Sequence, residues 1–252
     1  MAAPIALQLY TVREAMNQDF NDTVKRVAEM GYVGVETAGF PGTTPKGAAK
    51  LFADLGLQVA AACSPLPVGD RKNEVLDTMA ALGCTYLVCP ALMRDKFDSA
   101  DGVKEVCAAL NEANEVCKAN GLRLGYHNHW WEFTDLGDTN ASRVFVENLA
   151  PDIFFELDTY WAQTAGHNPV ELIQNMGGRI PLLHIKDGPT TREGDMVAAG
   201  EGVMDIPAIV NAGGENTEWL IVELDRCATD MMIAVEKSYQ YLVSSGLGRG
   251  NR

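Results

Sequence analysis

The chain has 252 residues, 47% of them hydrophobic, and carries 34 acidic against 20 basic side chains for a formal net charge of −14. The length suits one large core, and the composition excludes a disordered or low-complexity protein. The acidic balance, with no Lys/Arg run to offset it, excludes nucleic acid and anionic membranes as partners. None of the six cysteines forms a C-x-x-C pair, and several sit in apolar patterns where a small buried thiol is expected. No basic segment leads into an apolar one at the start, and no apolar run approaches about 18 residues, so a reducing cytoplasm is the expected compartment.

The chain opens strand-like at 5–10. A helix over 19–30 follows, with Asn21-Asp22-Thr23 as its expected cap and the Met30-Gly31 step as its stop. Next come a strand at 33–36, a helix at 44–55 ended by Gly56, and a strand at 57–63. A helix at 70–82 leads to a strand at 85–89, and a helix at 98–119, stopped by Gly121, leads to a strand at 122–127. The remaining pairs are helix 141–149 with strand 153–158, helix 168–176 with strand 180–185, and helix 205–212 with strand 219–224. A last helix spans 229–243. Eight strands alternating with eight helices predict a parallel sheet. With no dinucleotide glycine motif after the first strand, closure is expected, giving a (β/α)8 TIM barrel with residues 1–252 as one domain.

In such a barrel the C-terminal ends of the strands converge on one rim, where chemistry is done. Glu132, Asp158, His184 and Glu223 lie at or just beyond four consecutive strand ends, spaced by 26, 26 and 39 residues. Three carboxylates and an imidazole at one point repel unless a cation is bound, and hard O/N donors suit Mn, Mg, Co or Zn. A divalent metal is therefore the expected cofactor, held by those four residues.

Neighbouring residues fill out the rim. His127 and His129 share one face of the fifth strand, and Asn128 takes the other. Glu156 shares a face with Asp158 but lies deeper, where a buried structural partner is expected. Lys186 shares a face with His184; beside carboxylates its ammonium form is favoured, which argues for steadying developing negative charge rather than for Schiff-base chemistry. Substrate contacts are expected from His127, Trp161, Glu36 and Asp187, with Trp161 as a wall for a sugar face. The irregular segment 187–202 reads as a lid or substrate wall.

Tyr126-His127-Asn128-His129-x-x-Glu132-Phe133, Leu157-Asp158-Thr159-Tyr160-Trp161, His184-Ile185-Lys186-Asp187 and Gly200-Glu201-Gly202-x-x-Asp205 together resemble the sugar phosphate isomerase/epimerase proteins of the xylose-isomerase-like barrel superfamily. Leu7-Gln8-Leu9-Tyr10-Thr11-Val12-Arg13 and Gly31-Tyr32-Val33-Gly34-Val35-Glu36 fit as well, so the resemblance covers essentially the whole chain. It implies a Glu/Asp/His/Glu metal site onto which Asp158, His184 and Glu223 map. The first ligand is either Glu132 reaching back or a strand-five histidine in its place. Two further departures are Cys63, where many relatives place a histidine, and Trp161, where the epimerases place one.

The shared chemistry of that superfamily is proton removal beside a carbonyl, with a metal stabilising the enediolate. Glu132 and Glu223 are the expected proton carriers, assisted by His129 or His127 and by Lys186. A metal-dependent sugar isomerase or epimerase is the first expectation. A lyase or dehydratase acting on a keto-inositol or 3-keto-glycoside is the alternative, toward which the histidine pair and Trp161 move weight. A repair nuclease of the same fold is disfavoured by the acidic charge and the four histidines, and a non-enzymatic sugar-binding barrel would not need metal-ligand side chains. The expected partner is a small sugar; a homo-oligomer is compatible with the composition.

Overall fold

A computed structural model describes residues 2–251. Eight parallel strands close on themselves in sequence order: β1 (Ile5–Gln8), β2 (Gly34–Thr37), β3 (Gln58–Cys63), β4 (Tyr86–Cys89), β5 (Arg123–His127), β6 (Phe154–Asp158), β7 (Leu182–Ile185) and β8 (Trp219–Val222). Closure is made by β1 and β8, where Ala6 stands opposite Ile221. All eight predicted strands form. The first ends two residues early, because the Gln8 side chain accepts a hydrogen bond from the Tyr10 amide (2.9 Å) and turns the chain into a tight 3-10 turn.

Among the described residues ten α-helices surround the barrel: α1 (Arg13–Gln18), α2 (Phe20–Met30), α3 (Pro45–Asp54), α4 (Lys72–Leu82), α5 (Ala100–Ala119), α6 (Ala141–Asn148), α7 (Thr159–Thr164), α8 (Pro169–Met176), α9 (Ile206–Gly213) and α10 (Met231–Ser244). Eight of them match the predicted helices. Their inner faces follow helical spacing; α5 buries Val103, Val106, Cys107, Leu110, Ala113 and Cys117. The cap of α2 is Asp19, whose carboxylate accepts from the Asp22 amide at 2.9 Å, and not the Asn21–Thr23 group. Gly31 ends that helix as expected, at φ 108°, a conformation that side-chain-bearing residues rarely adopt.

The short α1 and α7 were not expected. Helix α7 begins directly after β6, because Asp158 is its cap: one carboxylate oxygen accepts from the Trp161 amide at 2.8 Å. No helix of the described residues is long and apolar enough to cross a membrane.

Candidate metal centre and active site

Strand pairing sets the site. In register, His127 stands opposite Glu156 and Asp158 opposite His184, while Gln8 stands opposite Glu36. The result is a polar layer at the C-terminal end of the barrel interior. One ligand atom each from His127, Asp158, His184 and Glu223 lies within 4.8 Å of the others. Glu36, Glu156 and His184 form a second group of the same compactness, so His184 belongs to both. Its Nδ1 is 2.7 Å from Glu223 Oε2; its Nε2 is 2.8 Å from Glu36 Oε2 and 3.1 Å from Glu156 Oε2.

All of these side chains are buried, and burial is what makes their charges consequential. Burial lowers the His127 pKa well below the usual imidazole value, with His184 and His129 adding to it, so His127 is neutral. For His184 burial acts in the same direction, but Glu156, Glu223 and Glu36 outweigh it and hold the pKa well above normal. Burial, reinforced by repulsion from Glu36, pushes the Glu156 carboxyl up to about 8. Burial would also raise Glu223, yet the Lys186 ammonium and His184 override it and keep that carboxylate ionised, well below its usual range.

Lys186 is buried with its ammonium 2.8 Å from Asp158, 2.7 Å from Glu223 and 2.8 Å from Asp225. Burial opposes the charge, but the three carboxylates hold it on, as the sequence implied. The lysine is not a wall of the main cavity. Its ammonium faces Asp158 and Glu223.

Glu132 requires a correction. It is buried, but on the far side of β5: its carboxylate accepts from the Tyr126 hydroxyl (2.7 Å) and the His129 amide (2.8 Å). Tyr126 is the outward neighbour of inward-facing His127 and packs on Phe145 at 4.8 Å between ring centroids. Glu132 lines a separate cavity of about 410 Å³ with Asn128, Phe145 and Phe155. The Trp130-Trp131 step is held by its neighbours. Arg192 lies 3.7 Å and Arg94 4.7 Å over the Trp130 ring, and Trp131 stacks on His129 at 4.0 Å. The fourth place in the cluster falls to His127.

Three expected substrate contacts are also corrected. Trp161 is 94% buried, lies outside the walls of the main cavity and covers the Lys186 ammonium at 5.7 Å. The Asp187 carboxylate accepts four backbone amides, those of Gly188, Gly200, Gly202 and Met204, at 2.8–3.0 Å. A Cβ on Gly202 would collide with that carboxylate, and one on Gly200, which sits at φ 86°, would collide with the Tyr241 ring. Segment 187–202 is thus wrapped around its own anchor and does not form the main cavity wall. Glu36 is fully buried, accepting from the Cys63 thiol at 2.9 Å while facing His184, and it does not reach the cavity either. Glu156 is fully buried below Asp158, as expected, with Oε2 3.1 Å from His184 Nε2.

The main cavity has a volume of about 830 Å³ and opens over the cluster. Its polar walls include Gln8, His127, His129, His184, Glu223 and Asp225. His127 and His129 meet there edge to face at 4.9 Å. The site can hold a cation against His127, Asp158, His184 and Glu223 and present an imidazole and a carboxylate to a small molecule beside it.

The chain belongs to the xylose isomerase-like TIM barrel family, whose family model matches residues 24–228. It is similar to a sugar phosphate isomerase/epimerase from Parabacteroides distasonis ATCC 8503, 27% identical, covering 99% of this chain and 96% of that one with a TM-score of 0.82. A curated inosose dehydratase from Geobacillus kaustophilus (strain HTA426) is 24% identical over 191 residues, 66% of this chain. The match spans 61% of that relative's length. The IolI protein, whose structure carries a zinc atom, is 17% identical with a TM-score of 0.75, a likeness of fold alone.

Proposed function

We propose that this chain is a divalent-metal-dependent enzyme that removes the proton beside the carbonyl of a keto-sugar or keto-polyol and then expels a substituent from the next carbon. The observation that carries the reading is the convergence of His127, Asp158, His184 and Glu223 from four consecutive strands.

The donor set fits a divalent cation. His127 is held neutral, the form in which imidazole binds metal. His184 has a carboxylate, Glu36, against the nitrogen away from Glu223, the partner that fixes ring orientation in metal-ligating histidines. Half the donors are nitrogens, which suits Mn, Co or Zn better than Mg. Bound there, the cation supplies a Lewis acid that stabilises negative charge developing on the substrate's carbonyl oxygen.

The chain's own groups do the rest. Glu223, ionised and on the cavity wall, takes the proton from the carbon beside the carbonyl. The electron pair released forms the new carbon–carbon double bond as the bond to the departing oxygen breaks. His129 gives that oxygen its proton. Lys186 keeps Glu223 ionised and, at 2.8 Å from Asp158, opposes the rise that burial imposes on that carboxyl.

Elimination is preferred because the carboxylate that would have faced Glu223 from β5 is turned away, leaving imidazole there. The dehydratase among the relatives supports the same outcome by its name. Isomerisation or epimerisation is the second reading, favoured by the name of the 27% identical relative.

Manganese-loaded protein should be incubated with a keto-inositol and with a methyl 3-keto-glucoside, and the products weighed by mass spectrometry. Elimination gives a product lighter by water or by methanol; isomerisation conserves mass. Asp158→Ala should lose both metal and turnover. Full turnover after chelation would overturn the metal reading.

A further inference from the structure

The main cavity is divided by chemistry. The metal-type cluster and both mouth histidines occupy one side. The other is made by the segments after β3 and β4, where, beyond the Ser64 hydroxyl at the end of β3, Pro65, Leu66, Val68, Pro90, Ala91 and Leu92 line the wall. No polar side-chain atom occurs among these six. A sugar hydroxyl placed against these six side chains would lose its water and gain no side-chain partner; this wall therefore disfavours a polyol.

The volume points the same way. At about 830 Å³ the cavity lies toward the upper end of the roughly 300–1,000 Å³ range of pockets that enclose drug-sized ligands. A lone six-carbon sugar at the cluster leaves the apolar side unfilled. The wall is also restrained: Pro65 and Pro90 line it and Pro67 lies between Leu66 and Val68, each with its own backbone φ fixed. At its outer edge stand Arg71, facing Glu74 at 3.7 Å, and Tyr10, 43% exposed beneath the Arg13 guanidinium. An exposed aromatic at the mouth of an apolar recess extends it toward solvent.

We infer that the substrate has two parts, a polyol or keto-sugar head at the cluster and an apolar, ring-sized substituent lying against Leu66, Val68 and Leu92. The inference rests on the proposed function for the head and on the cavity wall for the substituent.

The test is titration calorimetry of manganese-loaded protein with phenyl β-D-glucopyranoside and methyl β-D-glucopyranoside, together with saturation-transfer NMR of phenol alone on the metal-free protein. The phenyl glycoside should bind at least about tenfold tighter than the methyl glycoside, since the ring removes several more carbons from water. The ratio should fall toward one in Leu92→Asp and, as a milder change on the same wall, in Val68→Ser. Phenol should show saturation transfer with the wild type and lose it in both variants. Equal affinity for the two glycosides, or a phenyl preference that survives both substitutions, overturns the inference. If neither glycoside binds while phenol does, the head-group reading fails and the apolar wall stands. If phenol does not bind either, the wall reading fails as well.

Discussion

His184 and Glu36 meet inside the barrel although 148 residues and several strands separate them: His184 Nε2 lies 2.8 Å from Glu36 Oε2, while the other ring nitrogen faces Glu223 at 2.7 Å. One imidazole thus links the layer on the cavity wall to a deeper carboxylate pair. Glu36 orients the ring. Glu36→Gln should lower metal affinity about 10–100-fold, the usual effect of losing such a partner, while leaving the circular dichroism spectrum unchanged. Metal titration with wild-type affinity would show that the ring needs no such support.

Glu132→Gln tests the opposite kind of role. The amide can still accept one hydrogen bond, but it must present its NH2 to either the Tyr126 hydroxyl or the His129 amide. A loss of about 1–3 kcal/mol in stability is expected from the weakened charge-assisted bonds, with metal stoichiometry retained. His127→Ala should instead lose the metal. Metal loss in Glu132→Gln with full occupancy in His127→Ala would reverse the assignment.

Glu156 makes the metal-free protein pH-sensitive. Its carboxyl is raised to about 8 in the fold, so the native state keeps a proton that the unfolded chain releases. The contribution to stability is full below the ordinary carboxylate range and is lost as pH rises through about 8. The raised pKa of His184 acts in the same direction. The melting temperature of chelator-treated protein should therefore fall as pH is raised from about 5 to about 8, and Glu156→Gln should flatten that slope. An identical slope in the variant would assign the effect elsewhere.

Asp187 holds four backbone amides, so Asp187→Ala should cost about 2–4 kcal/mol, at the high end for a single substitution. Segment 187–202 should become the first site of limited proteolysis. Asp187→Asn, which keeps one acceptor oxygen, should lie between the two. Unchanged denaturation midpoints and cleavage patterns would contradict an anchoring role.

The alternation of strands and helices was legible in the sequence because each buried parallel strand is a short apolar run punctuated by glycine or a polar cap. Position alone also singled out Asp158, His184 and Glu223: each lies within one residue of the C-terminal end of its strand, and strand ends in a barrel share one rim. His127 carries the same signal, at the last residue of β5, and competes there with Glu132 for the first place. The signal that could have found α7 was also present, in an aspartate followed by a short helix-compatible run at the end of β6.

What lay beyond the sequence was direction and closure. Glu132 stands five residues past β5 in a tight turn, and strand periodicity does not say where such a side chain points; hydrogen bonds from Tyr126 and the His129 amide decided it. Asp187 and Trp161 look like rim residues in one dimension, yet backbone amides took up the first and packing over Lys186 the second. The deeper layer depended on closure most of all. Glu36 on β2 reaches His184 on β7 only because β1 pairs with β8 and rolls the sheet into a ring, a long-range contact that no local pattern encodes.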